Sequence, residues 1–264
     1  IGTLGGYLVG HEVAPEILDP LRSQSIAFSM GVTKTTINGA QFYHIPKMTT
    51  APTAFRPGIN QDIAEDEAEF DVITGSLRPI AFRVHLPRQL LMTSPDAVKD
   101  KIVAEGRRSI DLQIDKEVFI GEGAVTGSNT GAEIKGVLRT LETNSTLSST
   151  HIVTLDTNGR DVNFDDVINA ETRLANSNIP DSETKALAMH PVMRATFRKM
   201  TDAVGQPLFR GDMSSQAFKD IVGYPAYTST QLPINITTGT NAATGYIFFG
   251  AWRYAEYLMS NAME

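Results

Sequence analysis

The residues able to carry chemistry are few in kind and badly spaced for it. The five histidines, His11, His44, His85, His151 and His190, are scattered, and no two stand four apart, so a helix-borne zinc motif is excluded. Cysteine is absent, which removes thiol nucleophiles, disulfides and every cysteine-ligated metal site. Gly121-Glu122-Gly123 and Gly127-Ser128 invite a phosphate loop. No G-x-G-x-x-G opens a helix there and no G-K-[ST] follows, and the loop comes after a helix rather than before one. Thr74-Gly75-Ser76 lacks the closing glycine of a nucleophile elbow. The acidic run Asp62, Glu65, Asp66, Glu67, Glu69 and Asp71 lacks the central glycine and alternate spacing of a calcium loop. The expectation is no catalytic, cofactor-binding or metal-binding residue, and no cofactor.

The same residues have structural readings. His85 alternates with apolar neighbours, as on a sheet face. His190 precedes Pro191 at a helix start, where a ring nitrogen satisfies local backbone groups. Trp252 and Tyr254 adjoin an apolar segment and read as core or interface. Asn144 and Asn235 fall in glycosylation-type triplets that read as chance. The acidic run holds no Lys or Arg between Gln61 and Asp71 and reads as a solvated or inter-subunit face.

Composition narrows the class. The chain has 264 residues, 41% hydrophobic and 20% charged, enough for a large buried core in one large or two small domains. A net charge of -7 disfavours a basic reader of nucleic acid. No apolar run is long enough to span a membrane, and Ile1–Gly10 lacks the basic start of a signal peptide.

The elements that must position these residues follow from periodicity. A short proline-interrupted helix is expected over 12–22. Residues 26–48 read as extended, with a hairpin turn at Asn38-Gly39. A polar stretch over 49–69 follows, and Ile80, Phe82, Val84 and Leu86 alternate as a strand over 77–86. Together 34–86 reads as one long hairpin with an irregular tip, which needs something to pack against. Residues 96–120 form the best helix, with Val98, Ile102, Ile110, Ile114 and Val118 spaced by turns and Gly121 beyond its end. Gly106 inside it marks close packing or a bend. Residues 134–155 read as short strands and turns. Asn163 caps a helix over 164–177, with Phe164, Val167, Ile168, Leu174 and Ala175 inward. A strand over Lys185–Met189, a helix over 191–203 opened by Pro191, and strands near 221–229 and 245–250 complete an α+β chain. This is not the regular βαβ alternation of a nucleotide-binding fold.

Several collinear stretches carry a family resemblance. They are Gly5-Gly6-Tyr7-Leu8-Val9 with Val13-Ala14-Pro15-Glu16-Ile17, and Asp115-Lys116-Glu117-Val118-Phe119-Ile120-Gly121-Glu122-Gly123 with Gly136-Val137-Leu138. The most specific is His190-Pro191-Val192-Met193-Arg194 through Gly205-Gln206-Pro207-Leu208-Phe209. Gly223-Tyr224-Pro225-Ala226-Tyr227 and Phe248-Phe249-Gly250-Ala251-Trp252 complete the order. In that order the chain resembles the major capsid proteins of tailed bacteriophages, of the Hong Kong 97-type fold. It departs at Lys135, where many relatives have Pro, and at His190, where Asn is frequent.

The resemblance implies an N-terminal arm over 1–33, an extended hairpin (E-loop) over 34–86, and a peripheral domain over 87–139 with a spine helix at 96–120. It implies an axial domain over 140–244 and a return to the peripheral domain over 245–264. It implies a non-enzymatic shell protein forming pentamers and hexamers around double-stranded DNA held without sequence-specific binding. Portal, scaffold and maturation protease are the implied partners, and the virion, with the bacterial cytoplasm during assembly, the implied location. Lys47 is the hairpin candidate for the cross-link some relatives make, but no partner Asn or Glu matches and no cross-link is expected. The expected inter-subunit contacts are Asp62, Glu65, Asp66 and Glu67 of one copy against Arg107 and Arg108 of another. The competing readings are an encapsulin-type compartment shell, a hydrolase with an unrecognised site, and a monomeric binding module.

Overall fold

A computed structural model describes residues 25–38, 42–54, 56–59, 65–88, 96–123, 133–202, 204–206 and 220–260. The readings at 12–22, at Asp62, at the Asn38-Gly39 turn and over most of the glycine-rich loop fall outside these residues.

The long helix α1 (Asp96–Ile120) stands where its periodicity puts it. It buries Ile114, Val118 and Phe119. Gly106 is a close-packing position: a Cβ there would lie 2.1 Å from Cζ of Phe82, whose ring takes that space. After α1, Gly136 N–H donates to Gly121 O at 2.8 Å. A Cβ on Gly136 would meet the Glu117 carbonyl at 2.6 Å, so only glycine lets the returning chain approach the helix end this closely.

The following segment is helical, α2 (Val137–Thr143) and α3 (Ser145–His151), where strands were expected. The Ser, Thr and Asn residues read as turns between short strands, but capping decides it: the Asn144 side chain accepts from the N–H of Thr146 and Leu147 at 3.1 and 3.2 Å. Asn144 is thus a helix cap. Helix α4 (Phe164–Asn176) begins at Asn163, as read. Only Val167 of its expected inward set is fully buried; Phe164, Ile168 and Ala175 are exposed.

The centre is a mixed sheet in the order β5-β6-β4-β9 (β4 Ala186–Met189, β5 Asp220–Ile221, β6 Tyr224–Thr228, β9 Ile247–Gly250). Strand β4 runs parallel to β6 and antiparallel to β9. Every residue of β4 is buried, because its alternate side chains serve two cores. Ala186 and Ala188 join Ile26, Ala27, Met30, Val32, Phe119, Phe248 and Trp252. Leu187 and Met189 join Val167, Phe197, Ile221 and Ala226. Helix α5 (Pro191–Lys199) covers the second core with Phe197 and ends earlier than expected. The β5–β6 turn places Val222 at φ 55 and Gly223 at φ 82, the geometry of a tight hairpin turn. A small hairpin, β7 (Ile236–Thr238) and β8 (Asn241–Thr244), lies between β6 and β9.

Two pairings depart from the sequence reading. Strand β1 (Thr33–Ile37) does not form a hairpin with the next strand; it pairs in parallel with β10 (Glu256–Ser260), an unexpected strand near the other end. The ribbon inside 34–86 is narrower than that range: β2 (Phe42–Thr50) pairs antiparallel with β3 (Glu69–Ser76). Residues 77–86, expected as its returning strand, form no ladder among the described residues. The register explains this, since the partners of β2 are already taken up by 69–76. Nor does the described part of 1–33 stand apart as an arm: Ile26, Ala27, Met30 and Val32 are core residues.

Candidate assembly surface

Two kinds of polar constellation emerge, one buried and one exposed. The buried one is Asp115, fully enclosed on α1. Its carboxylate accepts from Ser25 Oγ at 2.9 Å, Ile26 N–H at 2.8 Å and Ala27 N–H at 3.0 Å. Burial pushes its carboxyl above the usual range, against the pull of those three hydrogen bonds. It fastens the turn at 26–31 to the helix, a structural task. The sequence reading missed it, although an acid beside Ile114 and before Val118 on an apolar stripe was a usable signal.

Other polar contacts are also fasteners. Tyr224 OH donates to Glu171 Oε1 at 2.5 Å, tying β6 to α4, and this bond pushes the phenol up to about 12. His190 Nδ1 accepts from Val192 N–H at 3.2 Å, the capping role read from sequence. Trp252 is core, with its indole N–H donating to Ala186 O at 2.9 Å. An open cavity of about 510 Å³ lies among Ser29, Met30, Ala186, Tyr227 and the Glu183–Arg253 ion pair, which closes at 3.2 Å. No group of acidic or histidine side chains among the described residues could hold a metal ion, and no described helix is long and apolar enough to cross a membrane.

The exposed constellation is the β2–β3 ribbon. Directly paired residues share a face. One face carries Phe42, Pro46, Met48, Phe70 and Val72, with the His44–Thr74 side-chain bond (3.1 Å) among them. The other carries Tyr43, Ile45, Ile73 and the Lys47–Asp71 pair at 3.6 Å. Lys47 therefore sits within the ribbon, opposite Asp71. The ladder ends, past a bulge, on the Thr50–Glu69 pair, where Thr50 Oγ1 donates to Glu69 Oε2, and beyond it Thr53 N–H donates to Asp66 Oδ2 at 2.6 Å.

Most of this apolar surface is uncovered. Phe70 is 69% exposed, Phe42 54%, Val72 and Ile73 52%, and Met48 51%. Covering a side chain of this kind is worth roughly 1.5–3 kcal/mol, whereas an exposed pair such as Lys47–Asp71 adds about 0–1. A two-stranded ribbon with such a surface calls for a partner.

Glu65, Asp66 and Glu67 lie exposed at the outer end of this ribbon. Arg107 and Arg108 lie exposed on α1, and Arg108 pairs with Glu105 of its own helix at 2.6 Å. Among the described residues the fold forms no ion pair between the acidic set and these arginines.

Residues 5–264 match the phage capsid family. No curated protein matches the chain. Among solved structures, the capsid of a native GTA particle, computed with C5 symmetry, superposes with a TM-score of 0.71 at 18% identity. It spans 95% of this chain and 81% of that one. A structure from Mycobacterium phage Ogopogo gives 0.65 at 14% identity, over 96% and 82%. One from Mycobacterium phage Cain gives 0.63 at 15%, over 92% and 74%. These likenesses show the fold, and with a family match over nearly the whole length, the chain belongs to the phage capsid family: it is a structural, non-enzymatic major capsid protein of the tailed-phage type.

Proposed function

We propose that this subunit builds pentamers and hexamers of an icosahedral shell, of the Hong Kong 97 type, around double-stranded DNA. In this reading the β2–β3 ribbon is the extended loop and lies on a neighbouring copy. Helix α1 is the spine of a peripheral domain, completed by the chain beyond residue 245. Residues 140–244 form the axial domain around the symmetry axes. Portal, scaffold and maturation protease are the partners such a shell requires. The observation that carries the reading is the uncovered apolar surface of the ribbon. The five-fold symmetry of the GTA particle is consistent with it.

Closed symmetry multiplies modest contacts, so each need contribute only a little. The acidic end of the ribbon, with Glu65, Asp66 and Glu67, then sets register against Arg107 and Arg108 of the neighbour. Changing all three acids to Lys is expected to abolish shells, read by light scattering and negative-stain microscopy, while the subunit keeps its circular dichroism and melting temperature. Normal shells from the triple variant would remove the acidic end from the assembly contact.

A further inference from the structure

Residues 77–87 have the composition and alternation of a strand but no ladder in this chain. Ile80, Phe82, Val84 and Leu86 fall on one side of an extended segment, and Ala81, Arg83 and His85 on the other. Among the described residues no backbone hydrogen bond to this segment is formed. Its apolar side lies toward α1, with Ile80 against the first core and the Phe82 ring in the space over Gly106. Phe82 and Val84 still remain about half exposed, at 45% and 50%.

A second feature of the same chain matches it. Among the described residues strand β3 has β2 on one edge only, and its other edge is open. Along 65–72 the side chains also alternate. Glu65, Glu67, Glu69 and Asp71 fall on one side, and Asp66, Ala68, Phe70 and Val72 on the other. The acidic stretch 62–71 contains no cation, and the stretch 72–95 contains no acid but holds Arg78, Arg83 and Arg88. Laid edge to edge, the two segments agree on both faces. Glu67, Glu69 and Asp71 meet Arg83 and His85 on one face, while Phe70 and Val72 continue the Phe82–Val84 surface on the other.

The geometry points to residues 80–86 as a strand completed between copies, pairing with the open edge of β3 and its lead-in 65–68 in a second copy of this chain. This rests on the shell reading and names a contact of it. An open strand edge is a template for such addition, in which backbone bonds supply affinity and alternate side chains supply register. A polyanion is the poorer occupant, because half-exposed Phe82 and Val84 between the cations give a phosphate backbone nothing to contact.

The absence of cysteine makes the test direct. Val84→Cys and Phe70→Cys, the positions this register sets side by side, are made in separate chains, one carrying a tag that changes its size, then mixed under assembly conditions and oxidised. The expected result is a mixed disulfide dimer well above either homodimer. Adding Arg83→Glu should reduce it several-fold, and combining Arg83→Glu with Glu67→Arg and Glu69→Arg should restore it. Shells without the mixed dimer would overturn this contact and leave the shell reading standing. Neither shells nor dimer would overturn both. No dimer, together with loss of duplex-oligonucleotide binding in Arg83→Glu, would overturn it by assigning the segment to a polyanion.

Discussion

At the scale of single residues, the largest energetic stake is Asp115. Three donors from consecutive residues converge on a carboxylate with no exposure. Truncating it strands buried donors, and each stranded donor costs about 1–3 kcal/mol. Relief of the buried charge offsets part of this. Asp115→Ala is therefore expected to lose about 2–4 kcal/mol of stability, measured by urea unfolding. Its amides at 25–33 should show faster hydrogen exchange. A loss below about 0.5 kcal/mol would mean that the turn is held by its apolar contacts alone.

Asp166 works in the opposite electrostatic sense. The Arg160 guanidinium bonds both of its oxygens at 2.7 Å, and Asn163 N–H donates to it at 2.7 Å. The bond to Arg160, foremost, holds its carboxyl below the usual range. A carboxylate whose value is lowered on folding contributes stability that is present above its unfolded value. That stability is lost as pH falls through the lower folded value. Denaturant midpoints between about pH 7 and pH 3 should therefore fall less steeply in Asp166→Asn than in the parent chain. Equal slopes would show that the clamp contributes nothing to folding.

At the scale of elements, three helix starts carry their own capping device and each sheet its own degree of completion. Asn144, Asn163 with Asp166, and His190 define where α3, α4 and α5 begin. These are local devices, and residue type reveals most of them. Strand ladders are different. Strand β4 has ladder partners on both edges, from 226–228 and 247–250, and a core against each face. The β2–β3 ribbon instead has one ladder and little cover, the Leu258 side chain at Gly75 being one exception. Replacing Phe70 and Val72 together with Asp should change the isolated subunit's stability by no more than about 0.5 kcal/mol, because neither side chain is buried there. The same variant should fail to form shells in light scattering. A large loss of subunit stability would place these residues in an internal core instead.

At the scale of the whole molecule, the two cores share one strand and are closed by segments from both ends of the described chain. Ile26, Met30 and Val32 meet Phe248 and Trp252, and β1 lies beside β10. The subunit interior is thus complete while the ribbon, the 77–87 segment and the acidic end remain unsatisfied. That division suits a protein whose stability in a particle comes partly from its neighbours, and it makes shell yield more sensitive than subunit melting temperature to surface changes.

What the amino-acid sequence determined alone was local. Helix α1 from Asp96 to Ile120, the Asn163 and His190 helix starts, β4 and the core role of Trp252 all follow from periodicity, capping chemistry and apolar runs. The resemblance carried by 190–209 and 223–252 pointed to the family without any chemical site. Only the tertiary structure decided which strands find partners. Thr33–Ile37 pairs with Glu256–Ser260 across most of the chain, and 69–76 rather than 77–86 returns along β2. A strand pattern states only that a segment can lie half-buried and extended; whether it joins a ladder depends on backbone donors and acceptors far away in the chain. The Asp115 fastening has the same cause, since its three donors stand some ninety residues away.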